Sequence, residues 1–261
     1  MESVRERLWL WGQKYHHLHY KLPGQSQIEP APAARYLGIP NILIVRYGDW
    51  PPLPYHPLAE SLREMKQVVW SIAGAGGTTI NGQESDLNEV VALAASFPNI
   101  TGAIMDDFFV CGEGRWTLEQ VRGYRQRLHQ FSRPLSLWCV LYLDRDIKTG
   151  IEKFLAEFDV ITLWTWWGKN LKSLEENFQR AITLAPDKHF LLGCYLWDYG
   201  DDGPLPLNAM EKQCETGLFW LKKGQIDGLI FLASCLCDLD LETVSWTRRW
   251  ISQKADQPLK P

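Results

Sequence analysis

The sequence predicts a single-domain α/β protein with the (β/α)8 TIM-barrel architecture, and two observations support this prediction. Short apolar runs alternate with amphipathic segments eight times along the 261 residues. Most of these runs are apolar on both faces, which is typical of parallel strands covered by helices. Repeated strand–helix units over this length favour a closed parallel barrel. We expect the barrel to occupy residues 1–251 and a polar, frayed tail to occupy residues 252–261.

The eight predicted strands are rich in branched aliphatic and aromatic residues. They cover residues 7–12, 41–48, 67–74, 100–108, 135–144, 159–167, 189–199 and 228–237. A doubly wound open sheet is the alternative, and it normally carries a G-x-G-x-x-G turn after its first strand. The corresponding segment reads WGQKYHHLHYKLPG (residues 11–24), which lacks that turn. The barrel is therefore favoured.

The segments between the strands place apolar residues at the 3.6-residue helical period. Three such stripes run through residues 87–95, 118–131 and 171–185. Helix starts are predicted at Pro30, at a Thr117–Gln120 capping box and at Asn170. The connector 52–66 is proline-rich at its start and gives the weakest helix pattern.

Composition excludes several classes of protein. The chain is 46% hydrophobic and 22% charged, as is ordinary for a globular protein, and its net charge of −4 disfavours nucleic-acid and anionic-membrane partners. No apolar run reaches the roughly 20 residues that span a bilayer, and the N-terminus lacks a signal-peptide pattern. The six cysteines lie mostly in apolar runs, which predicts reduced core thiols. A cytoplasmic protein is expected.

The C-terminal ends of barrel strands carry the chemistry of such folds. In this sequence those ends are dense in Trp, Tyr and Asp and poor in basic residues. Indole rings suit the C–H faces of sugar rings, and carboxylates accept hydrogen bonds from sugar hydroxyls, so a neutral saccharide is the predicted ligand. The alternative for each tryptophan is that it only fills the barrel. The candidate binding residues are Trp11, Tyr47, Trp70, Tyr142, Asp144, Trp164, Trp166, Trp197 and Tyr199.

The fourth predicted strand, in the stretch TGAIMDDFF (residues 101–109), ends in Asp106 and Asp107. Glycosidic cleavage needs one protonated carboxylic acid and a second group that stabilises or attacks the oxocarbenium-like centre. Two adjacent carboxylates do not ionise together readily, so one stays protonated near neutral pH. A regular strand would turn only one of them toward the axis, whereas twist or a bulge would bring both to the mouth. Asp198 and Asp144 are alternative partners across the mouth, and the carboxyl separation would then decide the stereochemistry.

The segment GAIMDDFF resembles the strand-4 motif of the O-GlcNAc hydrolase and hyaluronidase-type β-N-acetylglucosaminidases, which are barrel enzymes with adjacent aspartates after an apolar strand. The resemblance covers about eight residues. It implies that Asp106 orients the substrate's acetamido group, which is itself the nucleophile, and that Asp107 is the general acid/base. Many other barrel glycoside hydrolases use Glu on strands 4 and 7, and this chain has no Glu at either strand end.

Two rival functions remain at this level. One is a non-catalytic carbohydrate-binding barrel with the same aromatic mouth. The other is a sugar isomerase or hydrolase that binds a divalent metal through His16, His17 and His19, although H-H-x-H matches no established metal motif. We expect no cofactor and no resident metal, and we expect a small-molecule or oligosaccharide substrate as a partner, with no nucleic acid or membrane; the sequence does not determine the oligomeric state.

Overall fold

The computed structural model describes residues 2–15, 21–80, 82–110 and 115–259. Eight parallel strands form a closed barrel in chain order, and pairing of the eighth strand with the first, with Leu8 opposite Leu229, closes it. The predicted (β/α)8 barrel is confirmed. The strands are β1 Leu8–Gly12, β2 Asn41–Ile44, β3 Gln67–Ala73, β4 Ile100–Met105, β5 Ser136–Tyr142, β6 Val160–Trp164, β7 His189–Tyr195 and β8 Gly228–Leu232.

Every predicted strand is present. Each observed strand ends at or before the last residue of the apolar run that predicted it. Strand β7 ends at Tyr195, four residues short of the predicted limit. The apolar residues that follow the strands stay buried in the rim, as shown by Val45, Leu143 and Leu196. Apolar patterning therefore reports burial, and burial at the rim continues after strand pairing has stopped.

Helices follow the strands around the outside of the barrel. They are α1 Pro30–Leu37, α2 His56–Ser61, α3 Gln83–Ser96, α4 Leu118–His129, α5 Glu152–Leu155, α6 Leu174–Leu184, α7 Leu207–Lys222 and α8 Glu242–Lys254. The capping box is confirmed, because Thr117 Oγ1 accepts from Gln120 N at 3.1 Å and Gln120 Oε1 accepts from Thr117 N at 2.8 Å. The predicted start at Asn170 is wrong. Its side chain donates to Asp144 at 2.9 Å, and a 3-10 turn, Gly168–Ser173, precedes α6.

The predicted boundary after residue 251 also differs from the structure. Helix α8 runs to Lys254, and Ala255 is fully buried. The Arg5 side chain binds the Asp256 carboxylate at 2.8 Å, and the backbone N–H of Leu259 donates to the carbonyl oxygen of Glu2 at 3.0 Å. Residues 252–259 are thus fastened to the N-terminal segment, and they are not a separate tail.

The described cysteines agree with the reduced core thiols that the sequence predicts. Cys139, Cys194, Cys214, Cys235 and Cys237 are free and buried, and Cys111 lies outside the described residues. Within the described ranges, no helix is long and apolar enough to cross a membrane.

The barrel interior leaves no room for a side chain at Gly193 of β7. A Cβ there would overlap the indole ring of Trp164, a fully buried residue at the end of β6. We expect Gly193→Ala to lower the free energy of unfolding by about 1–3 kcal/mol, measured by chemical denaturation, because a tightly packed core resists added volume. The matched control is Gly123→Ala in α4, where no atom lies within 4 Å of the new Cβ. It should raise the free energy of unfolding by about 0.5–1 kcal/mol. Equal stability of the two variants would contradict the packing argument.

Candidate active site

A cavity of about 270 Å³ opens at the C-terminal rim of the barrel. Eight of the twelve predicted site residues line it, which places the ends of strands from all around the barrel at one site. These eight are Trp11, Tyr47, Asp106, Asp107, Tyr142, Trp164, Trp166 and Tyr199.

Both carboxylates of the aspartate pair face this cavity. Strand β4 ends at Met105, and the N–H of Asp106 still donates to the carbonyl oxygen of Ala73 at 2.8 Å. Asp107 then adopts a left-handed conformation with φ of +49°. Strand alternation stops at this turn, which Asp tolerates better than most residues. The chain therefore presents two successive side chains to the same space.

Asp106 is the buried member of the pair, with 6% of its surface exposed. Burial, reinforced by the negative charge of Asp107, raises the pKa of Asp106 well above its ordinary value. The hydrogen bond from Asp107 N to Asp106 Oδ1, at 2.8 Å, and the charge of Arg145 oppose this shift without cancelling it. Burial therefore favours the protonated, neutral form of Asp106.

Asp107 is fixed by two hydrogen-bond donors. Its Oδ1 accepts from the Tyr142 hydroxyl at 2.8 Å, and its Oδ2 accepts from Gly76 N at 2.7 Å. Burial raises the pKa of Tyr142 well above its ordinary value, so the hydroxyl keeps the proton that it donates. Two donors suit an ionised carboxylate, which only accepts hydrogen bonds. The pair thus combines a buried acid with a fixed, hydrogen-bonded carboxylate.

Aromatic rings form the walls around the pair. Trp164 contacts Trp11 edge to face at 5.2 Å between ring centroids and Tyr195 at 5.1 Å, while Trp166 contacts Tyr142 at 5.7 Å. The Trp164 Nε1–H donates to Thr162 Oγ1 at 2.8 Å, so this indole needs no polar partner from the cavity. These contacts bury Trp11 and Trp164 almost completely, and Trp166 is the half-buried indole that keeps apolar surface for a ligand.

Four predicted site residues lie outside the cavity. Trp70 is fully buried against Tyr55, and Trp197 is also buried in the rim. The Asp144 carboxylate accepts from the backbone N–H groups of Trp166 and Trp167, both at 3.3 Å, and from the Asn170 side chain. Asp144 and Trp197 follow the observed ends of β5 and β7, where inward and outward directions no longer alternate regularly, whereas Trp70 lies within β3 and faces away from the cavity.

Asp198, predicted as a third catalytic carboxylate, also lies outside the cavity. Its oxygens accept hydrogen bonds from Gly168 N at 3.1 Å, Gly200 N at 3.1 Å and Asp201 N at 3.2 Å, and it does not line the cavity. The side chain closes the turn after β7 and ties it to the turn after β6. Pairing across the mouth with Asp106 or Asp107 is therefore not supported.

This assignment predicts that Asp198→Asn acts on stability. The amide keeps one acceptor oxygen and loses the charge, so we expect the free energy of unfolding to fall by about 1–3 kcal/mol. Any turnover by the folded chain should keep a kcat/KM within about threefold of wild type. Thermal melts and assays below the melting temperature measure the two quantities. A loss of turnover as large as that of an Asp106 variant would return Asp198 to the catalytic set.

Two functional candidates escaped the sequence analysis. Tyr195, the last residue of β7, lines the cavity and shares a side-chain hydrogen bond with Tyr142. Arg145 also lines the cavity, although the predicted mouth was poor in basic residues. Its guanidinium lies 3.8 Å from the ring centroid of Tyr142. Tyr195 ends β7 and Arg145 lies in the turn after β5, so their positions at strand ends could have identified both as candidates.

The metal hypothesis receives no support from the residues that the structure describes. Among them, no group of three or more His, Cys, Asp or Glu side chains is arranged to bind an ion. His16, His17 and His19 lie outside the described ranges.

No family model matches the chain, and no curated protein matches it in sequence. Solved structures match its fold. The catalytic domain of a hyperthermophilic chitinase from Pyrococcus furiosus is 14% identical, with a TM-score of 0.58 over 87% of this chain and 84% of that chain. An α-L-arabinofuranosidase from Thermotoga maritima is 12% identical, with a TM-score of 0.57 over 97% and 71%. A xylanase-α-amylase inhibitor protein in complex with trehalose is 14% identical, with a TM-score of 0.55 over 95% and 98%. The chain therefore shares its barrel fold with these two enzymes and with the inhibitor protein.

Proposed function

We propose that this chain is a glycoside hydrolase that cleaves a glycosidic bond in a neutral or N-acetylated saccharide. The observation that carries the proposal is the aspartate pair. Two adjacent carboxylates line one aromatic cavity at the strand ends, and burial raises the pKa of Asp106, which favours its protonated form. A protonated acid beside a fixed carboxylate is what glycosidic cleavage requires.

The electrostatics assign one role to each aspartate. Asp106 donates its proton to the leaving oxygen as the bond to the anomeric carbon breaks. Asp107 bears the charge that stabilises the developing positive centre. On an N-acetylated sugar it accepts the acetamido N–H while the acetamido oxygen attacks the anomeric carbon. Water then opens the resulting ring, and Asp106 takes back a proton from that water.

This division is the reverse of the one that the family resemblance implies. The reason is burial, because it raises the pKa of Asp106 and so favours the protonated form that a general acid needs. The hydroxyl of Tyr142 and the N–H of Gly76 already orient Asp107 as an acceptor. A proton on Asp106 also avoids placing two like charges side by side.

The test is hydrolysis of a panel of aryl glycosides and oligosaccharides by the wild-type chain. Release of the aryl group, or new reducing ends seen by mass spectrometry, supports the proposal for the sugars concerned. Quenching of tryptophan fluorescence measures binding independently, because Trp11, Trp164 and Trp166 line the cavity. Binding without turnover of any panel member contradicts hydrolase activity.

A non-catalytic carbohydrate-binding barrel is the second candidate. The fold similarity to the inhibitor protein, whose structure contains trehalose, favours it. The panel separates the two candidates, since both predict fluorescence quenching and only the hydrolase predicts product.

A further inference from the structure

Among the described residues that line the cavity, Arg145 is the cationic one. It lies in the turn after β5, three residues beyond Tyr142, and its side chain is exposed at the rim. Asp106, on the same wall, is buried. The guanidinium and the aspartate pair therefore occupy different depths of one site.

Aromatic stacking fixes the position of this cation. The guanidinium carbon lies 3.8 Å from the ring centroid of Tyr142 and 4.8 Å from that of Trp166. The two rings contact each other edge to face, so they form one corner beneath the guanidinium. Stacking of this kind is attractive and leaves the N–H donors at the edge of the guanidinium plane free to bind a ligand.

The carboxylates around Arg145 are bound by other donors. Asp144 accepts from Trp166 N and Trp167 N, Asp146 accepts from Tyr142 N at 2.9 Å, and Asp107 accepts from Tyr142 and Gly76. Asp106 accepts from Asp107 N. Among the described residues, no carboxylate lies within ion-pair distance of the Arg145 guanidinium, and no hydrogen bond joins it to protein. A fixed cation at the mouth of a cavity is thus left for a ligand.

We propose that Arg145 binds an anionic substituent, a carboxylate or a sulfate ester, on the saccharide unit next to the ring held at Asp106 and Asp107. The inference rests on the proposed function and adds the class of substrate. The adjoining unit is the one addressed because Arg145 lies at the exposed rim while Asp106 lies deep. A planar guanidinium fork matches carboxylate and sulfate oxygens in two parallel hydrogen bonds, which a neutral hydroxymethyl group does not provide.

The experiment compares matched disaccharides. The first joins an N-acetylhexosamine to a uronic acid, and the second is identical except that the carboxyl group is reduced to hydroxymethyl. Binding is measured by fluorescence in the Asp106→Asn chain, which prevents turnover. We expect the acidic disaccharide to bind about tenfold to a hundredfold more tightly, the range for hydrogen bonds to a charged group. The preference should weaken as salt is added.

Variants assign this preference to Arg145. Arg145→Gln should remove it, and Arg145→Lys should keep part of it, because the charge remains while the fork is lost. Near-ultraviolet circular dichroism and melting temperature check that each variant is folded. The matched control is Arg35→Gln, an exposed α1 arginine paired with Glu64 at 3.8 Å, which should keep the full preference.

The outcomes separate the inference from the proposed function. A third disaccharide, sulfated in place of carboxylated, shows which anion is preferred. Equal binding of acidic and neutral disaccharides, or a preference that survives Arg145→Gln, overturns the inference. Hydrolysis of neutral glycosides with no acidic preference would overturn the inference and leave the proposed function intact. Tighter binding of the acidic disaccharide without hydrolysis of any substrate would overturn the proposed function and support the binding role of Arg145.

Discussion

Asp106→Asn is expected to lower kcat/KM by about 10²–10⁴ on glycosides with poor leaving groups, which is the usual contribution of a general acid. Asparagine fills the same space and has no acidic proton to give to the leaving oxygen. On aryl glycosides whose phenols leave readily as anions, the loss should shrink toward tenfold. The measurement is kcat/KM across a series of phenols of rising pKa, for wild type and variant.

The same residue should set the alkaline limb of the pH–rate profile. Activity needs the protonated form of Asp106, so it is present below the raised pKa of that carboxyl and is lost as pH rises through it. Asp106→Asn has no such group, and its residual activity on activated substrates should lack this limb. Asp198→Asn is the control, because its carboxylate binds backbone N–H groups outside the cavity. Loss of activity that is equal for all leaving groups would contradict the acid role.

The fold was predictable because its signal is local and repeated. Each strand is an apolar run of a few residues, and each covering helix shows its own apolar stripe, so eight independent patterns point to one architecture. The C-terminal ends of the strands were harder to predict from the sequence. The apolar residues Leu143 and Leu196 follow β5 and β7 and remain buried at the rim, where they resemble strand continuation.

The site was predictable in composition more than in detail. The position of Asp106 and Asp107 after the fourth of eight strands predicted that both lie at the rim. The tryptophans at other strand ends predicted aromatic surface beside them, and the cavity contains both kinds of residue. The sequence did not predict the direction of the Asp107 side chain, because that direction depends on the left-handed backbone conformation of Asp107 itself, after the end of β4. The structural use of Asp198 was equally hidden. One of its backbone donors is Gly168 N, in the turn after β6, and sequence spacing does not predict that contact.

Asp107→Asn is expected to lower kcat/KM by about 10²–10³ for every leaving group, good or poor, comparable with the loss of one electrostatic contact at a transition state. Its charge stabilises the positive centre, and that centre develops however readily the leaving group departs. Removing this charge also removes one cause of the raised pKa of Asp106, so the alkaline limb should move to lower pH. Burial remains, and the limb should therefore stay above the range of an ordinary aspartate.

Tyr142→Phe is the matched variant for this contact, because it deletes the hydroxyl that donates to Asp107 at 2.8 Å and keeps the ring beneath Arg145. One donor from Gly76 remains, so a loss of about tenfold is expected, again independent of the leaving group. The opposite pattern is equally clear. If Asp107→Asn spares activated substrates and Asp106→Asn does not, then Asp107 is the acid, and the division of roles implied by the resemblance to the β-N-acetylglucosaminidases is the right one.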